Sequence, residues 1–368
     1  MAKAPAGTMV YIRDVAREAG VSVATVSRVI ANADYPVRVE TRERVLAAAG
    51  RLGYHPNSLA RSLRVGRSEA IGVCAVTLGN PTVISAVEGI IQFSRAAHRH
   101  VQVTTTFWDP AEEESQLRLF LQERVAGVIS FPSGVPAERY AELQRAGIPV
   151  VLINRAVPGL AAPVVRHDFA GGYAKVVEHL VRRGHHRIAA VLPGNEVDRA
   201  WHAQAWQAAF LRLGLQAPTD LVYQVRSDAL SDRPTAVEEG VYAAVRELLA
   251  LPRPPSAFFA GSVTMTLAAI RAIDDVGLRV PGDIALVGTG DQRWGLLFTP
   301  RIPSLCLDSF SLGSRAAELV SSLIDDPRSV NLSLDVAVEL RLENVGLLAS
   351  YASRASISGG VDASEQAS

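Results

Sequence analysis

The run IRDVAREAGVSVATVSRVI, Ile12–Ile30, decides how this chain is read. Ile12, Val15, Ala16 and Ala19 fall at i, i+3, i+4 and i+7, one face of an α-helix. Gly20 supplies the backbone freedom for a sharp turn. Ser22 caps a second helix whose inward face is Val26, Val29 and Ile30. Val23, Ala24, Ser27 and Arg28 are left pointing outward. A helix, a short glycine-containing turn and a second helix make a helix-turn-helix. A third helix is expected at about residues 40–52, with Val45, Leu46, Ala49 and Leu52 as its stripe. Together they form a small all-α bundle.

Downstream lies YHPNSLARSLRVG, Tyr54–Gly66. Pro56 breaks the chain, Asn57 is a good N-cap and Gly66 stops the segment. A helix of about seven or eight residues is too short to be stable alone in water. It needs a partner, either a second copy of itself or DNA.

From Ala70 the pattern changes. Ile71–Thr77, Val101–Thr106, Gly127–Phe131 and Val150–Ile153 are short apolar runs, separated by helical stretches at 82–97, 111–123 and 137–146. After Gly171 a helix runs to Arg183, and strands Ile188–Leu192, 221–225, Ala257–Ala260 and Ile284–Gly288 alternate with helices 199–213, 237–250 and 264–276. Strands alternating with helices indicate parallel sheets. About ten strands are more than one sheet usually holds, so two doubly wound parallel sheets are expected. The tail SRASISGGVDASEQAS has no apolar period and reads as disordered.

The chain has 368 residues and no net charge, but the zero hides an asymmetry. Residues 1–68 carry eleven Lys and Arg against five acids, a net of +6; the rest carries 26 bases against 32 acids, a net of −6. A short basic segment on a long acidic body points to a polyanion-binding module joined to something else. No apolar run reaches the ~18–20 residues that span a bilayer. The opening residues, MAKAPAGTMV, do not read as a signal peptide. Two cysteines, Cys74 and Cys306, exclude a disulfide framework and a cysteine zinc cluster, and favour a reducing cytosol.

Other chemistries are poorly supported. Glu178, His179, His185 and His186 could suggest a metal, but the pattern HLVRRGHHRI sits at a helix end before a strand, and adjacent histidines point in different directions. Gly288-Thr289-Gly290 lacks the third glycine of a dinucleotide fingerprint. There is no nucleophile elbow, HExxH or P-loop. No catalytic residue, cofactor or metal is expected.

These residues carry a resemblance. Ile12–Ile30 and ETRERVLAAAGRLGYHPNSLARSL, Glu40–Leu63, resemble the DNA-binding head of the LacI/GalR family of bacterial transcriptional regulators. HLVRRGHHRIAAV (His179–Val191), GLRVPGDIALVG (Gly277–Gly288) and the segment beginning SLGSRAAEL resemble its body. The resemblance covers roughly residues 10–348. It implies a helix-turn-helix head at 10–56, a hinge helix and linker at 57–69, and a two-lobed periplasmic-binding-protein-like body at 70–352. The tail is 353–368. It further implies that Arg28 reads guanine, Val23 and Ala24 set specificity, and Ser22, Thr25, Ser27 and Asn32 hold phosphates or bases. Leu63 would wedge into the central base step of the minor groove, with Asn57 and Ala60 nearby and Arg61 and Arg64 against phosphate or groove. The tail has no leucine heptad like that of the family's tetramers, so a homodimer is expected.

In doubly wound sheets ligands sit beyond the carboxyl ends of the strands. Those ends are Asn80, Phe107 and Trp108, Phe131, Asn154 and Arg155, Pro193, Gly261, and Gly290 and Asp291. Trp108, Trp201 and Trp294 could line a pocket or belong to the core. Asn154, Arg155, Asp168, Arg199 and Asp291 are the polar candidates for an effector. The family grips sugar hydroxyls with carboxylates and arginine, and this sequence departs from it there. Ser262-Val263 replaces an Asn-Asp pair, Thr289 and Gly290 stand where an aromatic and an Asp are usual, and His202 occupies an arginine position. A less hydroxylated or partly apolar effector is expected. The reading is therefore a cytoplasmic, dimeric repressor of a pseudo-palindromic double-stranded DNA operator, answering to a small molecule of unknown identity, with no membrane partner and no enzyme activity. Its rivals are a regulator that binds DNA constitutively and a solute-binding protein.

Overall fold

Three helices build the N-terminal unit: α1 (Ile12–Ala19), α2 (Val23–Ile30) and α3 (Val39–Leu52). The structure, a computed structural model, describes residues 10–30, 37–54, 68–194, 199–226, 236–290, 302–328, 335–338 and 341–343. The chain divides into two units, Met1–Ser68 and Glu69–Ser368. In the first, Gly20 adopts φ 65°, the left-handed region that favours glycine, and Val21 N–H donates to Ala16 O at 3.0 Å. Ser22 Oγ then accepts from Thr25 N–H at 3.1 Å and starts α2. Val15, Val26, Val45 and Ala48 are fully buried between the helices. Each such valine contributes roughly 1.5–3 kcal/mol. The expected stripe of α3 needs one correction: Leu46 is 53% exposed and Ala48 is buried instead. At 100° per residue, position 48 lies nearer the Val45 face than position 46 does.

The second unit runs β1 (Ala70–Ala75), α4 (Pro81–Ala96), β2 (His100–Thr105), α5 (Pro110–Glu123), β3 (Gly127–Ser130), α6 (Ala137–Arg145), β4 (Val150–Ile153) and β5 (Val164–His167). It continues with α7 (Phe169–Arg182), β6 (Ile188–Gly194), α8 (Arg199–Leu211), β7 (Val222–Arg226), α9 (Ala236–Leu249), β8 (Ala257–Ala260), α10 (Val263–Asp274) and β9 (Ala285–Gly290). β10 (Ser304–Cys306), α11 (Ser309–Asp325), β11 (Asp335–Val338) and β12 (Arg341–Glu343) complete it. One sheet has the order β11-β5-β4-β3-β1-β2 and the other β12-β10-β9-β8-β6-β7. The first is parallel throughout, and the second is parallel but for its edge strand β12, which runs antiparallel to β10. The apolar patterning had shown fewer strands: β5, β10, β11 and β12 are short and, unlike the equally short β3, β4 and β8, carry polar or charged residues such as Arg166, His167, Asp335, Arg341 and Glu343.

The lobes are not consecutive in sequence. The chain enters the second lobe after β5, returns with α11 to pack under the first sheet, adds β11 there, and re-enters the second with β12. Side chains alternate across β1: Ile71, Val73 and Ala75 face the α4–α11 layer, while Cys74 faces Phe120 and Tyr140. Both faces are covered, so the strand reads as a continuous apolar run. α4 and α11 meet at glycines. A Cβ on Gly313 would stand 1.8 Å from Ala86 O, and one on Gly89 would stand 2.1 Å from Phe310 O. Each sheet reverses strand order at one neighbouring pair, β1/β3 and β6/β8, which sets the switch points where α/β proteins hold ligands.

Candidate nucleic-acid interface and effector cleft

On α2 the two faces separate as the sequence indicates. Val26 and Val29 are buried, while Ser22, Val23, Ala24 and Arg28 are exposed and Thr25 and Ser27 are half-buried. Ser22 Oγ and Thr25 Oγ1 lie 2.9 Å apart, so the cap is doubly tied and the first turn is held for its outward side chains. Arg13, Arg17 and Arg44 are also exposed on this unit. The face offers a guanidinium fork, hydroxyls and small apolar groups, which suit guanine edges, phosphates and thymine methyls respectively. Asn32 and the hinge residues Asn57, Ala60, Arg61, Leu63 and Arg64 lie outside the described residues.

The body holds a cavity of about 470 Å³ at the carboxyl ends of the strands of both sheets. Of the expected strand ends, Asn80, Phe107, Trp108, Phe131, Asn154, Arg155, Pro193 and Gly261 line it. Phe107 and Trp108 take positive φ, 50° and 64°, and Asn154 takes 63°. Side chains other than glycine rarely adopt this region outside turns, asparagine being better tolerated there than aromatics. Arg155 is 9% exposed, stacks over Trp108 and donates from Nη1 to Pro132 O at 2.6 Å. Asn154 Oδ1 accepts the His167 main-chain N–H at 3.2 Å.

Other expected effector residues are placed differently. Asp168 does not line the cavity, because its Oδ1 caps α7 by accepting from Gly171 N–H at 2.9 Å. Trp201 stays outside the lining, 41% exposed, with its ring edge on His202 and Phe169. His202 lines the cavity, but its Nδ1 is engaged by the Tyr173 hydroxyl at 2.7 Å. The Arg199 side chain, Asp291 and Trp294 lie outside the described residues. Val263 is buried, and a Cβ on Gly290 would meet its Cγ2 at 2.3 Å, so these two positions pack on each other.

The sequence had not singled out His167, Phe169, Glu238 or Ser309, all of which line the cavity. His167 closes β5, a four-residue strand with no period long enough to notice. Glu238 and Ser309 stand in the first turns of α9 and α11, where a polar residue looks like an ordinary helix start. Burial pushes the His167 imidazole down to about 4, opposed in part by a hydrogen bond with the Asp308 main chain and by the Asp308 charge, so the ring is neutral at physiological pH. Next to Phe131 and Pro132 of the lining, the buried Glu113 carboxylate accepts from Ser130 Oγ at 2.7 Å, from Ser133 N–H at 2.6 Å and from the Tyr140 hydroxyl. This network fixes the loop that presents Pro132 to Arg155. Among the described residues no group of three or more His, Cys, Asp or Glu could hold a metal ion, and His185 Nδ1 is 3.1 Å from Ser256 Oγ. No helix among them is long and apolar enough to cross a membrane.

An exposed recognition face on a helix-turn-helix, with a separate two-lobed ligand cleft, defines a ligand-responsive DNA-binding regulator. Known proteins agree. Residues 11–57 match the lacI family of bacterial regulatory proteins, and residues 177–340 match the periplasmic binding protein-like domain. Catabolite control protein A of Priestia megaterium is 30% identical over 318 residues, 86% of this chain and 93% of that protein. The HTH-type transcriptional repressor PurR of Klebsiella pneumoniae is 30% identical over 335 residues, 89% and 94% of the two chains. A structure of the Lac repressor dimer bound to operator and the anti-inducer ONPF has a TM-score of 0.76 over 91% of this chain and 98% of that one, at 24% identity. The regulator CelR in complex with cellobiose has 0.64 over 90% and 98%, at 27% identity. The chain belongs to the LacI family and is a sequence-specific DNA-binding transcriptional regulator.

Proposed function

We propose that this chain is a cytoplasmic homodimeric repressor that reads a pseudo-palindromic operator with the outer face of α2 and releases or tightens it when a small molecule enters the cleft. The observation that carries the reading is the division of α2, Val26 and Val29 buried against Ser22, Val23, Ala24 and Arg28 exposed. In this reading Arg28 meets a guanine, Val23 and Ala24 meet thymine methyls, and Ser22, Thr25, Ser27 and Asn32 fix register on the backbone. Asn57, Ala60, Arg61, Leu63 and Arg64 serve the minor groove. Ile84 and Ile91, seven apart on α4, remain 38% and 43% exposed and supply apolar surface to the second copy. In this reading the chain binds and does not catalyse: its relatives are named as regulators, and among the described residues the charged side chains lining the cleft are Arg155 and Glu238.

The effector reading uses Trp108, Asn154, Arg155 and His202, with the aromatic walls of Phe107, Phe131 and Phe169. Such a lining favours a partly apolar ligand over a polyhydroxylated one, because buried hydroxyls need partners. The test has two stages. The full chain selects duplexes from a random pool, and enrichment of two inverted half-sites is expected. The selected duplex is then titrated in the presence of candidate metabolites and of plain hexoses and pentoses. Sugars at millimolar concentration should leave the complex intact, and a sugar that releases it would overturn the effector reading.

A further inference from the structure

Glu113 stands on the inward stripe of α5 with Leu117 and Phe120, at i, i+4 and i+7, and is fully buried. An apolar residue would fit such a stripe. Taking a carboxylate out of water is costly, and stability alone rarely calls for it. Among the described residues this one bonds three uncharged donors from three places in the fold. Oε1 accepts from Ser130 Oγ at the end of β3 and from the Tyr140 hydroxyl of α6. Oε2 accepts from Ser133 N–H, in the loop after β3, at 2.6 Å. Burial and the neighbouring carboxylate push the Tyr140 phenol up, so it keeps its proton and donates.

The bond to Ser133 is the one that reaches the cleft. Ser133 Oγ also lies 3.0 Å from Oγ1 of Thr106, the residue after β2. The preceding Pro132 turns its carbonyl to Arg155 Nη1 at 2.6 Å, and Arg155 lies over the Trp108 ring. Phe107 and Trp108 both hold positive φ, a conformation that persists in such residues only where the surroundings enforce it. Trp108, Pro132 and Arg155 line the cavity, whereas Glu113 does not. One carboxylate outside the lining thus anchors the segments that follow β2, β3 and β4.

We propose that Glu113 is a positioning residue of the effector cleft: acting through Ser133 and Pro132, its carboxylate sets Arg155 over Trp108, so the shape of the cleft wall depends on a residue outside it. This role rests on the reading that the cleft holds an effector. What matters is reach rather than charge. Gln has the same length, and its amide oxygen still accepts from Ser133 while its NH2 turns to the hydroxyl oxygens of Ser130 and Tyr140. Asp keeps the charge but is one methylene shorter, and Leu accepts nothing.

The experiment uses the full chain, with acrylamide as a collisional quencher of tryptophan fluorescence. The Trp108 contribution is the difference between each protein and its Trp108→Phe counterpart, and circular dichroism checks that each variant is folded. Glu113→Leu and Glu113→Asp should raise the quenching of Trp108 by at least about twofold, the change in stacked population that losing a cation–π contact allows. Glu113→Gln should stay at the parent value. Arg155→Ala should raise quenching as much as Glu113→Leu does. The two combined should raise it no further, because residues in one chain of contacts are not additive. A folded Leu or Asp variant with the parent's quenching, a Gln variant that behaves like Leu, or additive effects with Arg155→Ala would overturn the proposal. Loss of the fold in both the Leu and the Asp variant would also overturn it, making Glu113 a core residue alone. No effector enters this measurement. Failure of every metabolite to act on the selected duplex would therefore count against the cleft reading and leave the Trp108 result standing.

Discussion

The guanidinium carbon of Arg155 lies 5.6 Å from the centroid of the Trp108 ring, while Nη1 donates to Pro132 O at 2.6 Å. One residue at the end of β4 thus ties together the loops after β2 and β3. Lysine would keep the charge but lose the planar fork and the stacking. Arg155→Lys should therefore lower stability by about 1–2 kcal/mol, measured by urea unfolding, and should quench or shift the Trp108 fluorescence. An unchanged midpoint would mean the contact contributes nothing.

Glycines separate into two kinds. Gly313→Ala forces a Cβ against the Ala86 carbonyl, and helix backbones cannot move apart cheaply, so a loss of about 3 kcal/mol or more is expected. Gly50→Ala, with nothing within 4 Å of its Cβ position in α3, should stabilise the head by about 0.5–1 kcal/mol. Chemical unfolding followed by circular dichroism compares them, and an equal effect would contradict the close approach of α4 and α11.

His167 makes the body sensitive to acid. Its imidazole titrates near 6.5 when unfolded and about 4 when folded, so the unfolded state takes up the proton first as pH falls. Stability is full above about pH 6.5 and declines through the interval down to about pH 4, by up to about 3 kcal/mol for this group. His167→Phe should flatten that part of the pH–stability curve. A curve of unchanged slope between pH 6.5 and 4 would show that the ring is not held neutral.

The head was largely legible in the sequence, because a helix period and a turn glycine leave few arrangements for Ile12–Ile30. The α/β alternation was legible for the same reason. What escaped was long-range or short. Nothing local says that α11 returns to the first lobe, since that depends on Gly313 meeting Ala86 across more than 200 residues. β5 is four residues long, and with it His167 passed unnoticed. Asp168 read as a polar candidate for the cleft, yet an Asp before a helix also caps it, and in the fold its oxygen is taken by the cap of α7. Trp108 and Trp201 were alike on paper, but in the fold Trp108 lines the cavity while Trp201 lies against Phe169 and His202, which line it.

The central claim is that the outer face of α2 reads base edges. The most direct measurement is the affinity of the intact protein and of Arg28→Ala for the selected duplex and for its single-base-pair variants, at one fixed salt concentration. The account predicts that Arg28→Ala loses about 1–3 kcal/mol per half-site and ceases to discriminate at one symmetric base pair while keeping selectivity elsewhere. An Arg28→Ala protein with full affinity and full selectivity at every position would contradict it.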